Sequence, residues 1–224
     1  MKTMIKTYPV ISTLALICLF FGLLTSFYGD AMYDLLAFHS KPMYGWQYVS
    51  GTLMHGSKGA PVWFLWVHLI LNGLMILPFG GLLERKRGSR QVLIVFVTAT
   101  VLSSIVFHFL TRGQDIQATG ISAVGYAFVT GGVMLLPNVW KEFSRTVKWL
   151  YLFLIFLSSL MLLPVITGWI STLLHVSGIV SYLGVSILSH YLKKNRFSHR
   201  WFIKTNRHSR DFLGCFLFIK PNLF

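Results

Sequence analysis

Six long, predominantly apolar runs constrain the fold of this chain more than any other feature. The runs lie at about residues 8–28, 61–83, 91–111, 120–136, 147–168 and 171–192. A helix needs about 20 apolar residues to cross the hydrocarbon core of a bilayer. Backbone N–H and C=O groups cannot stay unpaired in lipid, so each run is expected to be helical. The sequence therefore predicts an all-α integral membrane protein, a bundle of six transmembrane helices.

The composition agrees with a bilayer environment, because 54% of the 224 residues are hydrophobic and only 12% are charged. Cys18 and Cys215 are too few for a disulfide framework or a cysteine-ligated metal site. We expect no cofactor and no metal. The first run is too long, and too weakly basic at its start, for a removable signal peptide, so it is predicted to be a membrane anchor.

The placement of the basic residues predicts the orientation of the chain. The net charge is +14, yet all of the 20 Lys and Arg residues except Lys41, Lys58 and Arg112 fall on one side of a six-span arrangement. Basic loops stay in the cytoplasm, so both termini are predicted to be cytoplasmic in a multi-pass plasma-membrane protein. Anionic lipid headgroups are a further expected partner. Nucleic-acid binding is not expected, because no soluble folded domain remains to present it.

The domain organisation follows from the same runs. We predict a cytoplasmic N-terminus over 1–7, a six-helix domain over 8–192 and a basic cytoplasmic tail over 193–224. Within the domain, residues 29–60 are too polar to cross but rich in aromatic side chains, which indicates a partly helical element at the outer membrane interface. The apolar end of the tail is too short to span, and is expected to rest on the inner surface or to be disordered.

A candidate nucleophile lies at the start of the fourth run, in the sequence Gly120-Ile121-Ser122-Ala123. Thr119 precedes it as a predicted N-cap, which puts Ser122 in the first helical turn. Unpaired backbone N–H groups and the positive end of the helix dipole there stabilise developing negative charge. The run is shorter than the bilayer core, so Ser122 is expected to lie below the outer surface in a cavity that holds water.

A candidate base lies in the outer half of the sixth run, at a depth similar to that of the serine. An ionisable residue such as His175 within a span is a functional candidate by default. Small residues, Gly178 in the sixth run and Gly125 in the fourth, would let the two helices approach closely. A neutral imidazole could then take the Ser122 proton. Three of the six carboxylates are expected in outer loops and three on the cytoplasmic side, so the sequence predicts a dyad without an acid.

Two polar residues of the second run complete the predicted site. His68 and Asn72 are four residues apart, so they share one helical face. Each can donate a hydrogen bond, and together with Gly120 they are predicted to stabilise the oxyanion or the substrate. The alternative is a structural role in hydrogen bonding between helices.

Several motifs stand in a defined order along the chain. They read Gly45-Trp46-Gln47, Leu53-Met54-His55, His68-x-x-x-Asn72, Gly80-Gly81-x-x-Glu84-x-x-x-Gly88 and Gly120-x-Ser122-Ala123. In this order and on six predicted spans, they make the chain similar to the rhomboid family of intramembrane serine proteases. The likeness covers about three-fifths of the sequence, from Trp46 to about Gly184.

The resemblance implies an activity and further site residues. A rhomboid protease would cleave the transmembrane segments of single-span or other membrane protein substrates with the Ser122 and His175 dyad. Tyr126 would pack on the catalytic histidine, and His55 would shape the active-site loop. The oligomeric state is not implied.

The chain departs from the family pattern at several positions. Gln47 replaces the usual arginine, Ala123 replaces the glycine after the nucleophile, and Tyr182 stands where a small residue is usual. The spacing from His55 to His68 is also longer than usual.

Three other functions compete with proteolysis by serine. A catalytically silent rhomboid-like protein would bind membrane clients, and loss of Ser122 or His175 would be its sign; both are present. A zinc protease would need a His-Glu-x-x-His motif or an acid within a span, and the sequence has neither. A transporter would need paired broken helices or charges within the membrane.

Overall fold

The computed structural model describes residues 7–41 and 44–216, with side chains as far as Leu192. Its helices are α1 Pro9–Tyr28, α2 Asp30–Leu36, α3 Gln47–Leu53, α4 Val62–Met75, α5 Gly81–Arg87, α6 Ser89–Leu110, α7 Ser122–Val139, α8 Arg145–Leu160, α9 Pro164–Thr167 and α10 Trp169–Phe216. A π-helical turn, Ile76–Gly80, joins α4 to α5, and a 3-10 turn, Trp140–Glu142, follows α7. Strands β1, Phe38–His39, and β2, Gln117–Ala118, pair antiparallel. The fold is therefore a helical bundle with one short two-stranded pair.

The chain divides into two compact units, Met1–Val185 and Ser186–Phe224. All candidate site residues belong to the first unit. Residues 1–6, which belong to the predicted cytoplasmic N-terminus, lie outside the described residues. The same holds for the basic side chains after Leu192 and for everything after Phe216, so the predicted role of the tail stays a prediction.

Five helical segments in the described part of the chain are long and apolar enough to cross a membrane. They are Pro9–Tyr28, Val62–Arg87, Ser89–Leu110, Ser122–Glu142 and Trp169–Leu192. These segments describe a multi-pass membrane protein, as the hydrophobic runs predict.

The remaining predicted crossing, 147–168, differs from its expectation. Helix α8 has only 16 residues, about 24 Å at 1.5 Å per residue, which is less than a core of about 30 Å. It ends at Leu160 because the ring of Pro164 would clash with the carbonyl four residues earlier. Pro164 instead opens the short helix α9, where its missing N–H costs nothing.

Helix α7 forms the centre of the bundle, since 67% of its span is buried against 28–39% for the other four segments. Its glycines admit large neighbours. A Cβ on Gly131 would lie 2.5 Å from Cε2 of Tyr182, and a Cβ on Gly132 would collide with Phe79. Tyr182 therefore fills the room that Gly131 leaves, which explains how a large residue fits where the family has a small one.

A buried carboxylate joins the first two spans at the end where α1 begins. Glu84 is 4% exposed, and its two oxygens accept hydrogen bonds of 3.0 Å from the backbone N–H groups of Val10 and Ile11. Those groups have no partner within the helix, and the positive end of the helix dipole favours an anion there. Glu84 thus acts as the cap of α1.

The long loop over 29–60 is held by side chains around α3 that donate to the last carbonyls of α2. The bonds run from Trp46 Nε1 to Leu35 at 3.1 Å, from Gln47 Nε2 to Asp34 at 2.9 Å and from Ser50 Oγ to Leu36 at 2.7 Å. Gln47 is fully buried. It therefore anchors the loop from the position where the family usually has arginine.

Candidate active site

One cavity of about 870 Å³ contains most of the predicted site residues. Its lining includes Ser122, His175, His68, Asn72, Gly120 and Tyr126. They come from α4, α7, α10 and the segment before α7. The predicted supporting residue His55 lies outside this lining, behind His68.

Ser122 is the first residue of α7 and is half-buried. The predicted N-cap, Thr119, is wrong: Ile121 occupies that position without a side-chain bond, and the Thr119 hydroxyl donates to the Gly56 carbonyl instead. Gly120 turns the chain with a φ of +115°, a value that favours glycine. The first N–H groups of α7 consequently have no capping side chain, so they stay available beside the Ser122 hydroxyl.

His175 is buried and held in one orientation by two contacts. Its ring stacks on Tyr126, with centroids 4.3 Å apart and planes at 25°. Its Nδ1 lies 3.2 Å from the carbonyl oxygen of Met161. A carbonyl only accepts, so Nδ1 carries the proton of the neutral ring and Nε2 carries the lone pair. His175 is thereby arranged as a base.

His68 has the opposite tautomer. The backbone N–H of Gly56 donates to Nδ1 of His68 at 3.3 Å, so the ring proton is on Nε2. A Cβ on Gly120 would lie 2.9 Å from that Nε2. His68 therefore presents an N–H donor at the turn before Ser122.

Asn72 supplies a second donor at the same place. It is 2% exposed, and its Nδ2 has no hydrogen-bond partner among the described residues. This nitrogen would lie 3.7 Å from a Cβ on Gly120. A buried donor without a partner costs about 1–3 kcal/mol, and a catalytic role is one explanation for such a group in a native structure.

Gly120 contributes room rather than a donor. Its own N–H donates to the carbonyl of Gly51 at 3.0 Å, which also connects the turn to the long loop over 29–60. Any side chain at Gly120 would occupy the space in front of His68 and Asn72. The residue keeps that space open.

The two helices that carry Ser122 and His175 touch through backbone. A Cβ on Gly178 would collide with the carbonyl of Ala123, so α10 approaches α7 as closely as glycine allows. Gly125 does not take part in this contact, because its free side faces Met75. No hydrogen bond joins Ser122 to His175 in the described structure, and such bonds often form only when substrate is bound.

His55 packs against His68 and lies outside the cavity lining. It is 1% exposed, and its ring meets that of His68 edge-on with centroids 5.3 Å apart. Burial lowers the pKa of His55 to about 3, so the ring stays neutral at physiological pH. Tyr33 donates to its backbone carbonyl at 2.9 Å and fixes the loop.

Sequence reasoning missed the groups that set the two tautomers, the Met161 carbonyl and the Gly56 N–H. Both are backbone atoms, so no residue type indicates them. It also missed the polar part of the cavity lining, which includes Ser103, Ser104 and Gln117. Two adjacent serines in the C-terminal half of α6 are a weak signal for it. No group of three His, Cys, Asp or Glu side chains in the described ranges could hold a metal ion.

Comparison with known proteins gives a family for this arrangement. The Rhomboid domain model matches residues 42–192, which include every candidate site residue. A stretch of 86 residues is 28% identical to rhomboid protease GlpG of Haemophilus influenzae; it covers 38% of this chain and 41% of that protein. Because the family model covers more than half of the chain, the chain belongs to the rhomboid family.

Proposed function

We propose that this protein is an intramembrane serine endopeptidase that cleaves transmembrane segments of other membrane proteins. One observation carries the proposal: the cavity beside Ser122 contains two neutral histidines of opposite tautomer. His175 offers a lone pair and His68 offers an N–H. Proton transfer and oxyanion stabilisation require these two complementary functions.

The first step is attack on the scissile peptide carbonyl. The Ser122 oxygen forms a bond to the carbonyl carbon while its proton passes to Nε2 of His175. The imidazolium that results keeps its Nδ1–H on the Met161 carbonyl and its ring face on Tyr126. Both contacts favour the charged form, by hydrogen bonding and by a cation–π interaction. The Met161 carbonyl thus does the orienting work of an acidic third member.

The negative charge on the tetrahedral intermediate falls on the former carbonyl oxygen. Asn72 Nδ2–H, His68 Nε2–H and the uncapped first turn of α7 are the available donors. His175 then gives its proton to the leaving amine, and the C–N bond breaks to leave an acyl-enzyme. Water attacks that ester with His175 again as base, which releases the carboxylate and restores Ser122.

The proposed substrates are single-span or other membrane proteins within the bilayer. The cavity lining combines the polar site with apolar side chains from α4 and α8, such as Val67, Met75 and Leu157. An apolar segment with one unwound peptide bond suits that combination. The Haemophilus influenzae relative is a rhomboid protease, which supports the same substrate class.

We also propose that α8 and the residues to Thr167 form a sixth crossing, with both termini in the cytoplasm of a plasma-membrane protein. The excess of Lys and Arg on one side supports this orientation. Cysteines at Arg87 and Lys58 test it on intact cells. An impermeant reagent should label only the one at position 58, and labelling at position 87 would reverse the orientation.

A catalytically silent rhomboid-like protein is the second candidate. The observation that favours it is the lack of a hydrogen bond between Ser122 and His175 among the described residues. Such a protein would hold membrane clients in the same cavity without cutting them.

Purified protein in proteoliposomes with a panel of single-span substrates separates the two candidates. We expect cleavage by the parent protein, none by Ser122→Ala, and fluorophosphonate labelling of Ser122 alone. Strong chelators should leave cleavage unchanged. The client-binding role would be established instead if the parent protein and Ser122→Ala retained the substrate equally, and if neither cleaved it nor reacted with the fluorophosphonate.

A further inference from the structure

A second cavity, of about 430 Å³, lies at the end of the bundle where α1 begins. Its lining includes Ser12, Ala15, Leu16, Leu77, Arg85 and Tyr151. The catalytic proposal uses none of these residues. Its volume falls in the range of about 300–1,000 Å³ that is typical of small-molecule sites.

The cavity has apolar walls with one unsatisfied polar group. Ser12 is 9% exposed, and its hydroxyl has no hydrogen-bond partner within the described part of the chain. A serine in a membrane helix ordinarily donates to the carbonyl one turn earlier. A buried hydroxyl without a partner is costly, so a ligand oxygen in the cavity would relieve the cost.

The lining of the same cavity includes one cationic side chain, Arg85. Arg85 is exposed and makes no ion pair in the described structure. Its neighbour Lys86 is paired with Glu142 at 3.2 Å, and Glu84 is occupied by the start of α1. No carboxylate therefore neutralises the Arg85 guanidinium, which is suited to bind a phosphate through two N–H groups.

The shape of the cavity follows from the local sequence. Pro78 lacks a backbone N–H and lies in the π-helical turn, where the second span widens beside α1. Tyr151 donates to the Pro78 carbonyl at 3.0 Å and closes the far wall. Gly81 adds no side chain, and the nearest atom to a Cβ there is 4.0 Å away in Tyr8. An open slot results.

We propose that this cavity binds one anionic phospholipid. An acyl chain lies along the apolar wall of Leu16 and Leu77, the phosphate binds Arg85, and an ester oxygen accepts from the Ser12 hydroxyl. Charge complementarity selects an anionic headgroup, because no carboxylate in the described structure pairs with Arg85. The site is independent of the proposed proteolysis.

The test measures lipid retention, so it does not depend on activity. Purified protein in neutral detergent receives equal amounts of phosphatidylglycerol and phosphatidylcholine, and native mass spectrometry counts the retained lipid. We expect one phosphatidylglycerol in preference to phosphatidylcholine. A photoreactive acyl chain on phosphatidylglycerol should cross-link at Leu16 or Leu77.

Three variants locate the binding, and two of them, Arg85→Gln and Arg90→Gln, form a matched pair. Arg85→Gln should lower phosphatidylglycerol retention about fivefold, the effect of one basic residue on an anionic lipid. Arg90→Gln removes the same charge from an exposed residue outside the cavity lining and should change nothing. Ala15→Phe should fill the slot and reduce retention without a change in charge. Thermal unfolding confirms that each variant is folded.

Several results would overturn the proposal. Equal losses in Arg85→Gln and Arg90→Gln would show a general charge effect. Equal retention of phosphatidylcholine would remove the anionic preference. Competition by glycerol phosphate alone, as effective as that by phosphatidylglycerol, would show that no acyl chain is bound.

Discussion

The two halves of helix α7 show opposite kinds of packing. The first turn, with Ser122, faces a cavity in which Asn72 Nδ2 has no partner among the described residues. The second half is packed so closely that a Cβ on Gly131 or Gly132 would meet an aromatic ring within 2.5 Å. Unpaired donors cost stability, whereas close packing supplies it. The groups proposed for catalysis therefore lie at the first turn of α7, and the contacts that stabilise the fold lie along its second half.

The largest effect is expected at the polar end. Ser122→Ala, His175→Ala and the double variant should each lose proteolysis by more than about 10⁴-fold, because nucleophile and base act as one unit. The melting temperature of Ser122→Ala should stay near that of the parent, since Ser122 lines a cavity. Initial rates with a single-span substrate, together with thermal unfolding, check both halves of the statement. An additive loss in the double variant would contradict the dyad.

Asn72→Ala should lower kcat by about 10²–10³, or roughly 3–4 kcal/mol, the cost of one oxyanion donor. KM should change little because the oxyanion exists only near the transition state. Stability should not fall, since the variant removes a buried donor that has no partner among the described residues. A drop in melting temperature with kcat unchanged would assign Asn72 to structural hydrogen bonding.

Substitutions in the closely packed second half of α7 should lower stability and leave activity nearly unchanged. Gly132→Ala introduces a methyl group against the fully buried Phe79 and should cost about 1–3 kcal/mol of stability. Specific activity of the folded protein should stay within about twofold of the parent. Gly184→Ala is the matched control, because nothing lies within 4 Å of a Cβ there. It should be neutral or slightly stabilising, as helical Gly to Ala changes are.

Acid should destabilise the folded protein through His55, which packs against His68. The pKa of His55 is lowered by burial to about 3 in the folded protein, against about 6.5 when it is unfolded. The unfolded chain therefore binds the proton more readily, and stability that is complete above pH 6.5 is lost as the pH falls toward 3. This single group predicts a loss of about 1.4 kcal/mol at pH 5.5. Unfolding measured against pH should show a smaller slope in His55→Gln, while Gly184→Ala keeps the parent slope.

The smallest effect concerns an exposed contact at the cavity rim. Lys58 lines the cavity and binds Asp34 at 2.6 Å, which lowers the pKa of that carboxyl group. Exposed ion pairs contribute little, so Asp34→Asn should leave activity within about twofold at low and at high salt. A much larger, salt-dependent loss would show that this pair controls access to Ser122.

Much of this protein can be predicted from the sequence because hydropathy and motif order depend on local residues. Apolar runs predict the long helices, and the order of motifs indicates the rhomboid family and the candidates Ser122, His175, His68 and Asn72. Gly178 likewise indicates a close helix contact, because the absence of a side chain at that position is visible in the sequence.

Tertiary structure decided what depends on atoms distant in the chain. The tautomers of His175 and His68 depend on a carbonyl 14 residues away and an N–H 12 residues away, and every residue type supplies such backbone groups. Threonine is a common N-cap residue, yet the hydroxyl of Thr119 donates a hydrogen bond to the Gly56 carbonyl and does not cap α7. Tyr182 is tolerated only because Gly131 faces it on another helix. The sequence states which side chains are present. The tautomers of the histidines and the packing of a large side chain against a glycine depend on which residues come into contact in the folded protein.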